Sequence, residues 1–158
     1  MPHSPDTRPD LLVRQASAAD AVLAAPLFAL YRQFYGQPYD ESIAADFLRA
    51  RLEHGQSVVL LAEVPGSPPV GFTQLYPGFS SVAAAPAWVL GDLFVQEWAR
   101  GGGAAAALME HAERLARQAG AVHLTLETAR DNLGAQRLYE RQGYGVVDRF
   151  LMYEKPLT

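Results

Sequence analysis

The stretch Asp92-Leu-Phe-Val95-Gln-Glu-Trp-Ala-Arg100-Gly101-Gly102-Gly103-Ala104-Ala105 holds the most specific chemistry in the chain. An arginine and three consecutive glycines stand between an apolar run and an alanine-rich segment. Residues without side chains let backbone N–H groups come close to an anion. A helix opening from the last glycine adds unsatisfied donors and about half a positive charge. Arg100 adds a planar fork that matches two phosphate oxygens. Small residues at 104 to 107 leave the first helical turn open. These parts together make a cradle for a diphosphate, although a flexible glycine loop ahead of an alanine helix has the same composition.

Two nucleotide motifs compete for the same residues. A P-loop needs a lysine after its last glycine, and no lysine precedes Lys155. The dinucleotide pattern G-x-G-x-x-G/A is met by Gly101, Gly103 and Ala106, with Glu127 where a ribose-binding acid would stand. That motif sits tight against its strand, whereas Gln96 to Arg100 intervene here, and too little chain follows for a doubly wound sheet.

Other chemistries are narrowed by composition. There are no cysteines, which removes disulfides, thiolate metal sites and thiol nucleophiles. The four histidines, His3, His54, His111 and His123, show no metal-ligand spacing, so no metal site is expected. A net charge of −4 argues against nucleic acid and suits a cationic small substrate. The longest apolar run, Val82 to Leu90, is broken by Pro86 and is far short of the roughly 20 residues that span a bilayer. Residues 1–10 are polar and proline-rich without an apolar core, and read as a disordered tail rather than a signal peptide. The chain is therefore expected to be soluble and cytoplasmic, with no membrane partner.

The elements that must position these residues follow from periodicity. A length of 158 residues, 49% hydrophobic and 19% charged, suits one domain, taken as residues 11–158. Leu11 to Ser17 reads as a short strand ending in a helix cap, with Asp20 in the first turn. From Ala19 to Phe34, Val22, Leu23, Leu27, Leu30, Tyr31 and Phe34 recur at helical spacing, and Asp40 to Glu53 makes a second helix. Strands follow at Ser57 to Glu63, Val70 to Tyr76 and Ala87 to Val95. A helix from Gly103 to Gln118 buries Leu108, Met109, Ala112, Leu115 and Ala116, and Gly120 stops it. Val122 to Glu127 is a strand, Leu133 to Gln142 a helix, and Val146–Val147 and Phe150–Glu154 close the chain as short strands. The order β-α-α-β-β-β-α-β-α-β-β defines a mixed α/β domain, with a parallel crossover between Val89 and Glu127.

The sequence resembles the GNAT superfamily of N-acetyltransferases. Arg100, Gly103 and Ala105 fill the defined positions of that family's acyl-CoA loop, [Q/R]-x-x-G-x-[G/A]. Asn132, Ala135, Leu138, Tyr139, Gly143 and Tyr144 match its N-x-x-A-x-x-[L/F]-Y-x-x-x-G-[F/Y] segment. The segments Phe72-Thr-Gln-Leu-Tyr76 and Leu90-Gly-Asp-Leu-Phe-Val95 look most like the diamine and histone-type subgroup. The resemblance implies a mostly antiparallel sheet with a splayed parallel strand pair, about four helices and acetyl-CoA as co-substrate. It implies transfer to a primary amine of a small molecule or peptide by direct attack in a ternary complex, and it admits a homodimer.

It also implies roles. Backbone groups of Leu93, Phe94 and Val95 would hold pantetheine and polarise the thioester. N–H groups of Gly101, Gly102, Gly103, Ala104 and Ala105 would hold the pyrophosphate with Arg100. Asn132, Ala135 and Tyr139 would face the cofactor, with Tyr139 assisting the departing thiolate. Asn132 and Tyr139 are seven residues apart, two turns of one helix, which puts them on one face. The related diamine enzymes carry a glutamate where this chain has Gly91. Asp92, one residue on, faces the other way unless a bulge intervenes, so it is a candidate base or a merely structural acid. Glu127 and His123 are further candidates on the next strand. Tyr31, Phe34, Tyr35, Tyr39, Tyr76, Phe79 and Trp88, with Asp40 and Glu41, would line an acceptor region suited to an ammonium group. The loss of the glutamate leaves a non-catalytic acyl-CoA sensor of the same fold as an alternative.

Overall fold

The computed structural model describes residues 10–158. Apart from Asp10, the expected N-terminal tail lies outside the described residues. The chain divides into two compact units, Met1–Glu127 and Thr128–Thr158.

The first unit is a five-stranded sheet in the order β1-β2-β3-β6-β7, built from β1 (Leu12–Gln15), β2 (Val58–Glu63), β3 (Gly71–Tyr76), β6 (Trp88–Val95) and β7 (Leu124–Thr125). All pairs are antiparallel except β6 with β7, which run parallel. A two-stranded ladder of β4 (Phe79–Ser80) and β5 (Ala85–Pro86) lies in the segment between β3 and β6.

Helices cover both faces of this sheet. α1 (Ala21–Phe34) and α2 (Glu41–Glu53) lie on one face, where Ala24, Leu27, Phe28, Ala44 and Leu48 form a core with Val59, Leu61 and Phe72. α3 (Ala104–Gln118) lies on the other, burying Leu108, Met109, Ala112 and Ala116 as its spacing predicts. A Cβ at Gly71 would stand 3.4 Å from Leu108 Cδ1, so strand and helix meet closely there.

Local signals explain the boundaries. Asp40 caps α2 by accepting the Ile43 N–H at 3.0 Å. Ser17 opens a one-turn 3-10 helix, Ala18–Asp20, ahead of α1, and its N–H donates to Asp20 Oδ2 at 2.8 Å. That carboxylate also pairs with Arg14 of β1, which reaches Glu63 of β2 as well. The buried face of α1 is the expected one only in part, at Leu27 and the half-buried Leu30 and Tyr31. Ala21, Ala24, Ala25 and Ala29 are inside while Val22, Leu23 and Phe34 are exposed, because small residues let the helix sit closer to the sheet than a leucine stripe would.

The second unit contains α4 (Leu133–Arg141). Gly143 has a φ of 89° and ends the helix in the left-handed region, with the Tyr144 N–H donating to the Tyr139 carbonyl at 3.0 Å. The two closing strands expected at 146–147 and 150–154 are not formed among the described residues. An apolar run becomes a strand only when a ladder partner is present, and propensity alone does not supply one.

Candidate active site

β6 does not pair with β3 in a single register. Gln74 stands opposite Asp92 and Leu75 opposite Leu90, so Gly91 is an extra residue with no partner across the ladder. Directly paired residues share a face. The bulge therefore turns Asp92 toward the side of Phe72 and Gln74, which α1 covers, whereas an unbroken strand would leave it on Leu90's side. A Cβ on Gly91 would stand 2.4 Å from Tyr76 Cε2, so the Tyr76 ring fills the space that a longer residue would need.

Asp92 is buried, 9% exposed. Gln74 Nε2 donates to its Oδ2 at 2.6 Å, and Thr73 Oγ1 donates to its backbone carbonyl at 2.7 Å. The Tyr31 hydroxyl donates to the Gly91 carbonyl at 3.3 Å, one residue before Asp92. Burial raises the Asp92 pKa, and the bonds from Gln74 and Tyr31 only partly oppose it. Burial and the Asp92 charge push the Tyr31 hydroxyl upward, and push Tyr76 to about 12 with Arg51 opposing. Both phenols therefore remain donors at neutral pH. The result is an acid with an elevated affinity for a proton, held among donors beneath α1, which is the disposition a proton acceptor requires.

Next along the strand, the parallel ladder stops early. Trp88 and Val89 pair with Leu124 and Thr125, but Leu90 to Val95 have a neighbour on the β3 side alone. The Gln96 N–H donates to the Val70 carbonyl at 2.8 Å, so the Phe94 N–H, two residues back, also faces β3. Those of Leu93 and Val95 face the open side. Phe94 thus departs from the expectation for a backbone donor, since alternation commits its N–H to β3. Its ring instead lies under Arg100, 5.6 Å from the guanidinium carbon.

Arg100 Nε donates to the Val95 carbonyl at 3.0 Å, tying the end of β6 to the glycine turn. Its Nη groups have no acceptor among the described residues. Gly101 and Gly103 have φ of 81° and 86°, values that residues with a Cβ rarely adopt. A Cβ on Gly102 would stand 3.3 Å from the Ala99 carbonyl. The first helical bond here runs from the Ala107 N–H to the Gly103 carbonyl, so the N–H groups of Ala104, Ala105 and Ala106 have no acceptor in α3. Bare amides, an arginine fork and a helix start suit a diphosphate.

In the second unit, Asn132 Oδ1 accepts the Ala135 N–H at 3.2 Å and so caps α4. Tyr139 lies on that helix, its ring 6.3 Å from the Tyr144 ring. Glu127 and His123 fall outside β7 and are exposed, so they do not alternate on a strand as expected. Among the aromatic candidates, Tyr31 and Tyr35 meet edge to face at 5.0 Å and Phe34 and Tyr35 at 5.2 Å, while Trp88 is core. No group of three or more His, Cys, Asp or Glu that could hold a metal occurs among the described residues. None of their helices is long and apolar enough to cross a membrane.

The sequence reading missed Gln74 and Tyr31 as partners of Asp92. A lone carboxamide inside Gly71-Phe-Thr-Gln-Leu-Tyr76 was the available signal, since a polar residue in a buried strand requires a polar partner.

A mixed sheet with a parallel pair that parts over an arginine-glycine turn defines an acyltransferase of the GNAT type. Residues 24–144 match the acetyltransferase (GNAT) family, and the chain belongs to it. It is 48% identical over 141 residues to the "uncharacterized N-acetyltransferase YhfO" of Bacillus subtilis (strain 168), covering 89% of this chain and 94% of that one. A crystal structure titled "a probable acetyltransferase" superposes with a TM-score of 0.87 at 37% identity, over 93% of this chain and 98% of that one. A ribosomal-protein-alanine N-acetyltransferase from Brucella melitensis shares the fold, with a TM-score of 0.77 at 24% identity, over 94% and 99% of the two chains. The chain is an acyltransferase enzyme, and acetyltransferases of this family use acetyl-CoA and an amine-bearing substrate. Membership replaces the dinucleotide-binding reading of Gly101, Gly103 and Ala106.

Proposed function

We propose that the chain moves the acetyl group of acetyl-CoA to a primary amine by direct attack in a ternary complex. The observation that carries this reading is the continuity of Asp92 to Ala106, where one strand end supplies a buried acid, outward backbone donors and an anion cradle in succession. The Gly101–Ala105 amides and the Arg100 fork hold the pyrophosphate. The Leu93 and Val95 N–H groups hold pantetheine and the thioester oxygen, where one placed donor is worth about 2.7–4 kcal/mol in the transition state.

Asp92 takes a proton from the substrate ammonium, directly or through a water. The amine lone pair then forms the new C–N bond as the C–S bond breaks; the departing thiolate takes a proton from Tyr139, and the second proton, shed by the new amide nitrogen, passes through solvent to restore the Tyr139 phenol. Asn132, which caps that helix, and Ala135 are cofactor contacts in this reading, a role carried by the family motif. The likeness to the diamine and histone-type subgroup rests on the β3 and β6 segments, and Asp92 would replace that subgroup's glutamate.

The test is thiol release from acetyl-CoA over a panel of polyamines, amino acids, aminoglycosides and lysine peptides. Release matched by acetylated amine is expected for at least one class. Binding of CoA without release for any of them would favour a sensor over a transferase.

A further inference from the structure

Gln74 has no place in the reading above, yet it is fully buried beside Asp92. Its Nε2 donates to Asp92 Oδ2 at 2.6 Å, and its Oε1 has no partner among the described residues. A buried carbonyl oxygen without a donor carries an uncompensated desolvation cost, and native structures rarely keep one. The same bulge that turns Asp92 beneath α1 sets it directly opposite Gln74 in the ladder.

A carboxamide differs from any apolar residue of its size in having a donor and an acceptor on one rotatable end. With Nε2 toward Asp92 it suits a carboxylate. After half a turn of the amide, Oε1 suits a carboxylic acid. We propose that Gln74 is a positioning residue for the transfer: Nε2 fixes the Asp92 carboxylate while it awaits a proton, and Oε1 accepts the carboxyl O–H once the proton has arrived. This rests on Asp92 as proton acceptor. The proton comes from the substrate ammonium and leaves to solvent when the product departs, which returns the amide to its first orientation.

The groups that face Asp92 are few. Tyr31 comes from α1, with Tyr35 behind it, and Tyr76 comes from β3. Arg51 of α2 acts on Tyr76 and is not paired with Asp92. Gln74 is therefore the one short donor to this carboxylate from within the sheet, and removing it disfavours the charged form.

The experiment follows the Asp92 carboxyl carbon by carbon-13 NMR across a pH titration in wild type, Gln74→Leu and Gln74→Met, with Asp92→Asn for assignment. It is joined to the pH dependence of kcat/KM with an amine from the thiol-release panel. Both Gln74 variants should titrate about one pH unit higher than wild type. The acid limb of the rate profile should move up with them, so that kcat/KM falls about tenfold along that limb, while acetyl-CoA binding is unchanged. Met at 74 keeps the test open if Leu fails to fold. A titration midpoint that stays put overturns the Gln74 assignment and leaves the Asp92 reading standing if Asp92→Asn still loses the limb. A midpoint that moves while the rate limb does not overturns both, because Asp92 is then not the group that titrates in turnover.

Discussion

The ring of Tyr76 occupies the space that any side chain at residue 91 would need: a Cβ on Gly91 would lie 2.4 Å from Tyr76 Cε2. Ring and glycine together keep the β6 bulge, and the bulge decides which face Asp92 joins. Gly91→Ala should therefore cost about 1–3 kcal/mol by overpacking. In the Tyr76→Ala background the same substitution should cost less. Chemical denaturation of the four proteins of this double-mutant cycle checks it, and purely additive costs would mean that the ring and the glycine are uncoupled.

Arg100 joins the end of β6 to the glycine turn through one nitrogen, and the proposed function assigns the rest of its fork to the diphosphate. Arg100→Ala should weaken CoA about tenfold, the scale of one charge-assisted bond, and hardly affect pantetheine, which lacks the diphosphate. Calorimetric titration with both ligands measures the difference. Equal losses for the two would move the pyrophosphate away from Arg100.

Tyr139→Phe tests the proton donor. Removing a general acid should lower kcat by about 100-fold and leave the acetyl-CoA dissociation constant near its original value. Steady-state rates beside direct binding separate the two, and undiminished turnover would take Tyr139 out of the chemistry.

Much of this was legible in the sequence. The α3 boundaries follow from Gly103 and Gly120, and the start of α2 from the helical period that begins at Asp40. The glycine turn and the helix start that follows it were legible because both are local signals. The face of α1 was not, since alanines rather than the larger Val22 and Leu23 pack inward, a choice made by the sheet it meets. The bulge was left open because the ring packed on Gly91, that of Tyr76, lies fifteen residues away on another strand. The Gln74 to Asp92 bond depends on that same register and shares its opacity.

The first unit also carries a pH-dependent anchor. The Arg14 guanidinium and the Ser17 N–H hold Asp20 at about 2, below its ordinary 3.8. A carboxylate with a depressed folded pKa gives stability that is full above the unfolded value and is lost as pH falls from about 4 to about 2. Arg14 is partly exposed, so solvent screening limits the pair. Arg14→Met should cost about 1 kcal/mol at pH 7, and the gap to wild type should shrink below about pH 3. Denaturation at both pH values shows it, whereas a gap that is constant with pH would assign Arg14 to packing alone.

A crystal structure with acetyl-CoA bound tests the central claim most directly. The account predicts diphosphate oxygens within hydrogen-bonding distance of the amides from Gly101 to Ala105, with the thioester oxygen against the outward N–H groups of Leu93 and Val95. Acetyl-CoA bound elsewhere, with those amides still facing solvent, would contradict it.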